Sequence, residues 1–149
     1  MLPAPARARV RLLGFRRLAE VPDLYRASDV LVFPSRYDGW GMTLMEGMAA
    51  AQPVISTEQT GSAYDVIRDG ENGFLLPRAE PALVAGAMRT LLEDPERVRR
   101  MGCAARRTAE RYTHRAGARA FLDRIHAAAG PAPAAAGTAA VSSAEGKGA

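Results

Sequence analysis

The segment from Asp29 to Thr57 constrains the fold more than any other part of this 149-residue chain. Val30-Leu31-Val32-Phe33 is an unbroken apolar run, β-branched at Val30 and Val32 and stopped by Pro34, the pattern of a parallel strand covered on both faces. Pro53-Val54-Ile55-Ser56-Thr57 repeats that signal after a gap of helix length. Between them, Thr43 to Ala51 reads as a short helix whose Leu44, Met45 and Met48 can face the sheet. The unit is therefore βαβ, with a right-handed crossover expected. Its loop, Arg36 to Met42, joins the carboxyl end of the strand to the amino end of the helix, where open parallel sheets place their ligands. Gly39 and Gly41 permit positive φ, and the unpaired N–H groups of the helix's first turn suit a phosphate.

Pro34-Ser35, Asp38 and Glu46 eight positions apart, Gly39-Trp40-Gly41, Pro53-Val54 and Gly61 follow one another in a fixed order. They resemble the signature of the retaining, nucleotide-sugar-dependent glycosyltransferases of the GT-B fold, the glycosyl transferases group 1 or family 4. The similarity extends outward to Arg11-Leu12-Leu13-Gly14-Phe15 and the Val21 to Asp29 helix on one side, and to Asp69-Gly70-Glu71-Asn72-Gly73-Phe74-Leu75-Leu76-Pro77 on the other. So many ordered elements make chance an inadequate explanation.

The resemblance implies an α/β fold, a partial Rossmann-like doubly wound parallel sheet corresponding to the C-terminal half of such an enzyme, with C-terminal helices. It implies that Asp38 bonds hydroxyls of the donor sugar, that Glu46 holds the donor ribose, that backbone amides of Gly39, Trp40, Gly41, Met42 and Thr43 face the sugar and diphosphate, and that Phe15 lies near the nucleobase. It implies no general base, because the donor phosphate is thought to assist on one face of the sugar, and no metal or other cofactor. Structural readings stand beside these roles. Thr43 and Glu46 also form a capping-box pattern, Asp38-Gly39 a tight turn, Trp40 a surface aromatic packed on its loop, and Gly61 a strand-to-helix turn ahead of an Ala63 to Ile67 helix. Two departures from the family pattern bear on stability: Gly47 in place of Ala inside the helix, and Ala51 in place of the Gly that ends it, where a positive φ would be strained.

In the doubly wound order 3-2-1-4-5-6, Val10 to Leu13 would be strand three, and Val30, Val54 and Phe74 would mark strands four to six. Strands one and two are not encoded, so the first either pairs directly with the Val30 strand or stays loosely attached. The family's diphosphate-gripping Arg and Lys lie ahead of the matched region, and Lys147 is the sole lysine. The acceptor-binding domain is also absent. A late start codon or a truncated gene therefore accounts for Met1 to Pro5 better than a dedicated small domain does. Two functions follow. One is the donor-binding part of a glycosyltransferase, inactive without its N-terminal domain or a partner chain; the other is a non-catalytic remnant or interaction module. The Asp-Gly-Trp-Gly loop associates the chain with members acting on cell-surface polysaccharide or glycolipid.

Residues 1–128 are expected to form the nucleotide-sugar-binding domain and residues 129–149, rich in Ala, Gly, Pro and Ser, a disordered tail. No run of about 18 apolar residues marks a membrane span, and the first ten residues lack a signal-peptide core, so the expected location is cytoplasmic. Cys103, the sole cysteine, has no partner for an internal disulfide and reads as a packed helix residue; His114 and His126 read as surface or structural. The net charge of +4 comes mostly from Arg, much of it between Arg97 and Arg119 and interspersed with Glu93, Glu96, Glu110 and Asp123. Without interleaved aromatics this is a solvated helical face rather than a nucleic-acid surface, with peripheral attraction to anionic lipid as the secondary reading. The helices expected there run over Pro81 to Leu92, Pro95 to Tyr112 and Arg115 to Ala128. The last carries Phe121, Leu122 and Ile125 as an exposed apolar patch. No Gly-x-Gly-x-x-Gly turn is present, which sets dinucleotide redox chemistry aside.

Overall fold

The computed structural model describes residues 4–130. It contains α1 (Ala4–Arg7), α2 (Val21–Arg26), β1 (Leu31–Phe33), α3 (Met42–Ala49), β2 (Val54–Thr57), α4 (Ala63–Val66), β3 (Gly73–Leu76), α5 (Pro81–Leu92), α6 (Pro95–Glu110) and α7 (His114–Ala129). The chain divides into two compact units after Thr113. The first is an α/β layer built on a parallel sheet of order β1-β2-β3, with Val32 beside Ile55 and Ile55 beside Phe74.

Alternation along the strands sorts their side chains onto two faces. Leu31, Phe33, Val54 and Leu75 meet Leu44 and Met48 of α3, Val66 of α4, and Ala105 and Ala109 of α6. Val30, Val32, Ile55, Phe74 and Leu76 meet Ala87 and Leu91 of α5 and Met101 of α6. Asp94-Pro95 starts α6 as the sequence pattern asks: Pro95 occupies the first turn and the Asp94 carboxylate accepts the Arg97 N–H at 2.8 Å. At its other end α3 closes in a Schellman motif, with Gln52 N–H to the Gly47 carbonyl and Ala51 N–H to the Met48 carbonyl. Ala51 takes φ +62 there, the one non-glycine residue at positive φ among those described, so the strain expected of an Ala at this position is present. Its carbonyl packs on Gly102, where an added Cβ would lie 2.1 Å from that oxygen. Gly47 has a packing reason as well as a propensity cost: a Cβ there would stand 2.6 Å from Leu31 Cδ2.

Two expectations need correction. Val10 to Leu13 forms no strand; residues 10 to 17 are irregular and exposed, because a strand needs a neighbour to take its backbone bonds and none pairs with it among the described residues. Cys103 is exposed rather than packed, since the buried face of α6 is drawn from Met101, Gly102, Ala104 and Ala105 on either side of it. The helix preceding the expected tail continues through Ala129, and the remainder of that segment, 131–149, lies outside the described residues. In the second unit, α7 has no buried residue and exposes Phe121, Leu122 and Ile125, as expected, together with His114 and His126. Exposed pairs Arg99–Glu96 and Arg106–Glu110 on α6 fit the reading of a solvated basic face. Among the described residues no helix is long and apolar enough to cross a membrane.

Candidate functional site

The site grows from the end of β1. After Pro34 the chain turns through Tyr37 to Gly41 and is held against the loop that follows β2. Asp38 N–H donates to the Gln59 carbonyl at 3.0 Å, Gly61 N–H to the Asp38 carbonyl at 2.9 Å, and Ser62 N–H to the Trp40 carbonyl at 2.8 Å. This double loop needs its glycines. A Cβ on Gly61 would lie 2.2 Å from the Gly39 carbonyl oxygen, and one on Gly41, which has φ +83, would lie 2.3 Å from Thr60 Cγ2. Gly61 is thus required by the contact between the two loops and not only by a turn. Beneath them the Ser56 hydroxyl ties β2 to the Phe33 carbonyl at 3.0 Å, and the Thr57 hydroxyl bonds the Ser35 carbonyl.

Gly41 is the N-cap of α3 and supplies no side-chain cap. The N–H groups of Met42 and Thr43, in the first turn, therefore lack helical partners and carry the positive end of the helix dipole at the loop mouth. Because the cap falls at Gly41, Thr43 is not the N-cap and the capping-box reading of Glu46 does not hold. The Glu46 carboxylate instead accepts a hydrogen bond from the Tyr25 hydroxyl of α2 at 2.9 Å. Burial, followed by the bond to Glu46 and its charge, pushes the Tyr25 hydroxyl up to about 12, so it remains a donor through neutral pH. Gln52 holds the end of α2, its Nε2 donating to the carbonyls of Tyr25 and Ser28 at 2.7 Å each.

The structure brings Asp38, Gly39, Trp40, Gly41, Met42 and Thr43 together in one loop and helix start, with exposed Glu46 one turn further along α3. Asp38 accepts the Trp40 N–H at 2.9 Å, so its side chain also shapes the turn. Trp40 is 48% exposed. Phe15 lies on the irregular segment and is 94% exposed. Sequence reasoning missed Tyr25 as the partner of Glu46 and Ser62 as a neighbour of Gly41. The Ser62 hydroxyl is buried, lies 3.5 Å from where a Gly41 Cβ would be, and has no hydrogen-bond partner among the described residues. A cleft of about 630 Å³ opens at the other end of β1, between that strand and α5 and α6, and its lining includes none of these residues.

The family model of the glycosyl transferases group 1 matches residues 4–108. The putative glycosyltransferase EpsD of Bacillus subtilis is 40% identical over 108 residues, 72% of this chain and 28% of EpsD. The crystal structure of the C-terminal domain of a glycosyl transferase group 1 family protein, LpcC of Francisella tularensis, superposes with a TM-score of 0.62 at 28% identity, covering 67% of this chain and 51% of that one. Anabaena HepE in complex with UDP superposes with a TM-score of 0.73 at 26% identity over 81% of this chain and 33% of HepE. The chain spans roughly a fifth to under a third of the length of these curated relatives, 19% to 28%. The chain thus belongs to the glycosyl transferases group 1 family, as part of its Rossmann-like C-terminal domain.

Proposed function

We propose that this chain provides the donor-binding part of a retaining glycosyltransferase, holding a nucleotide sugar for transfer to a saccharide or glycolipid acceptor. The observation that carries the reading is the uncapped amino end of α3 at the mouth of a glycine loop, with Asp38 before it and Glu46 one turn into the helix. Backbone N–H groups of a helix's first turn meet the charge of a diphosphate without a metal. Asp38 then bonds sugar hydroxyls and Glu46 the ribose diol, each as a charge-assisted acceptor. Trp40 and the loop amides shield the sugar, and Phe15 contacts the nucleobase. Developing charge at the scissile bond is met by those positioned N–H groups and by the donor's own phosphate, with no general base from this chain. HepE structures containing UDP and UDP-glucose lend support from a relative of the same fold. Transfer itself requires the acceptor-binding domain, on the same polypeptide or a partner. The location we assign is cytoplasmic, with the arginine-rich helices available for peripheral contact with anionic lipid.

Calorimetric titration of the full chain with UDP, GDP and their sugars tests the reading. Saturable binding is expected, weakened about tenfold by Glu46→Gln and by Asp38→Asn, with unchanged circular dichroism. Equal affinity in both variants refutes the site. A folded chain that binds none of these ligands favours the non-catalytic interaction module.

A further inference from the structure

Ser62 stands where the chain turns from the double loop into α4, as the N-cap of that helix. Serine favours this position because its hydroxyl can accept an N–H of the helix's first turn. Here it does not. Ser62 takes φ −80 and ψ −9 rather than the extended conformation of a capping residue, and its side chain makes no cap bond. The hydroxyl is buried and has no hydrogen-bond partner among the described residues. The other buried hydroxyls described are all bonded: Ser56 to the Phe33 carbonyl and to Thr60, Thr57 to the Ser35 carbonyl, and Thr108 to the Ala104 carbonyl. A buried donor left unpaired weakens the fold, so its place is informative.

That place adjoins the mouth of α3. Ser62 N–H donates to the Trp40 carbonyl at 2.8 Å, and its Oγ lies 3.5 Å from where a Cβ on Gly41, the N-cap of α3, would stand. No side chain caps the first turn of that eight-residue helix. An unpaired hydroxyl and uncapped N–H groups thus lie together at the positive end of a helix, and all of them are donors. Such a set fits an oxygen that only accepts and carries negative charge, as in a phosphate. We propose that Ser62 is a phosphate-binding residue of the donor site. Its hydroxyl turns about the Cα–Cβ bond, between staggered positions, toward the α3 mouth and donates to a phosphate oxygen of the nucleotide sugar, beside the N–H groups of Met42 and Thr43. Identifying that phosphate as the donor's rests on the function proposed above. The free chain holds the hydroxyl unsatisfied and the ligand relieves it, a local cost in stability retained for binding.

Removing the hydroxyl should therefore move stability and affinity in opposite directions. In the full chain, Ser62→Ala is expected to raise the Tm by about 3 °C and to weaken UDP about tenfold in calorimetric titration. Ser56→Ala, which deletes a bonded hydroxyl, is the control and should lower the Tm. A hydroxyl with a merely structural role would not give the first pattern, since its loss destabilises the chain. A Ser62→Ala chain that melts no higher than the parent, or that binds UDP within about twofold of it, overturns the role of Ser62. Glu46→Gln, titrated alongside, reports separately on the donor site, which stands if that variant weakens UDP whatever Ser62→Ala does. If the parent binds no UDP, the donor site fails and inorganic pyrophosphate decides for Ser62. Pyrophosphate binding weakened about tenfold by Ser62→Ala upholds a phosphate site there, and binding that is absent or unchanged overturns it.

Discussion

Ala51→Gly should stabilise this protein, in contrast to the usual cost of introducing glycine within a helix. Ala51 sits at φ +62 in the Schellman turn that closes α3. An L-residue in that region carries about 1–2 kcal/mol of strain from its Cβ against the neighbouring carbonyl. Two terms oppose its relief. Glycine adds about 0.4–1 kcal/mol of chain entropy to the unfolded state, and loss of the half-buried methyl gives up about 0.4 kcal/mol of apolar burial. The expected net gain is about 0.5 kcal/mol, a rise in Tm of roughly 2–3 °C for a unit of this size. Ala49→Gly is the control, since Ala49 is exposed and helical and the change should cost about 1 kcal/mol. Urea and thermal unfolding of the two variants beside the parent give the comparison. If Ala51→Gly destabilises as much as Ala49→Gly, the left-handed turn and its strain are refuted.

Asn72 is buried and bonds the Arg68 N–H, the Val66 carbonyl and the Thr108 hydroxyl at 2.7, 2.9 and 3.1 Å. Asn72→Ala should therefore cost about 2–3 kcal/mol in urea unfolding, and a loss below about 0.5 kcal/mol would contradict that network. Gly61→Ala drives a Cβ into the Gly39 carbonyl; because backbone cannot swing aside as a side chain can, melts should show a loss of about 2 kcal/mol or more. The Tyr25 hydroxyl is raised to about 12 in the folded chain, above the ordinary tyrosine value near 10. The unfolded state then loses its proton first, so the stabilisation is complete below about pH 10 and is lost as pH rises toward about 12. Unfolding measured across that window should fall less steeply in Tyr25→Phe than in the parent, and identical slopes would count against the Tyr25–Glu46 bond.

What the sequence disclosed was set by short-range periodicity. Val30 to Phe33, Val54 to Thr57 and the Leu44–Met48 spacing carry their strand and helix identity within a few residues, and the structure places β1, β2 and α3 within one or two residues of the expected bounds. The loop of Gly39 and Gly41 was visible for the same reason. Contacts between segments were not. The approach of Gly61 to Gly39 and the bond from Tyr25 to Glu46, 21 positions apart, exist only once β1 and β2 lie side by side. Thr43 and Glu46 matched a local capping pattern, but Gly41, in a left-handed conformation, starts the helix earlier and frees Glu46 for α2. Val10 to Leu13 had the composition of a strand without a partner to complete it, and Cys103 showed how little a small side chain reveals of the direction it faces.

The six residues of α2 include no buried one, and two polar anchors hold the helix: the Gln52 amide at its end and the Tyr25 hydroxyl on Glu46. Polar anchors of this kind are worth about 1 kcal/mol each, and they can release without disturbing either apolar cluster. Local release of the helix is consequently expected to cost less than global unfolding. Each opening exchanges a carboxylate occupied by a phenol for one facing solvent. The readiness of Glu46 to accept a new hydrogen bond is then expected to follow the release of α2, and sequence changes at Gln52 or Ser28, which anchor that helix, would tune it.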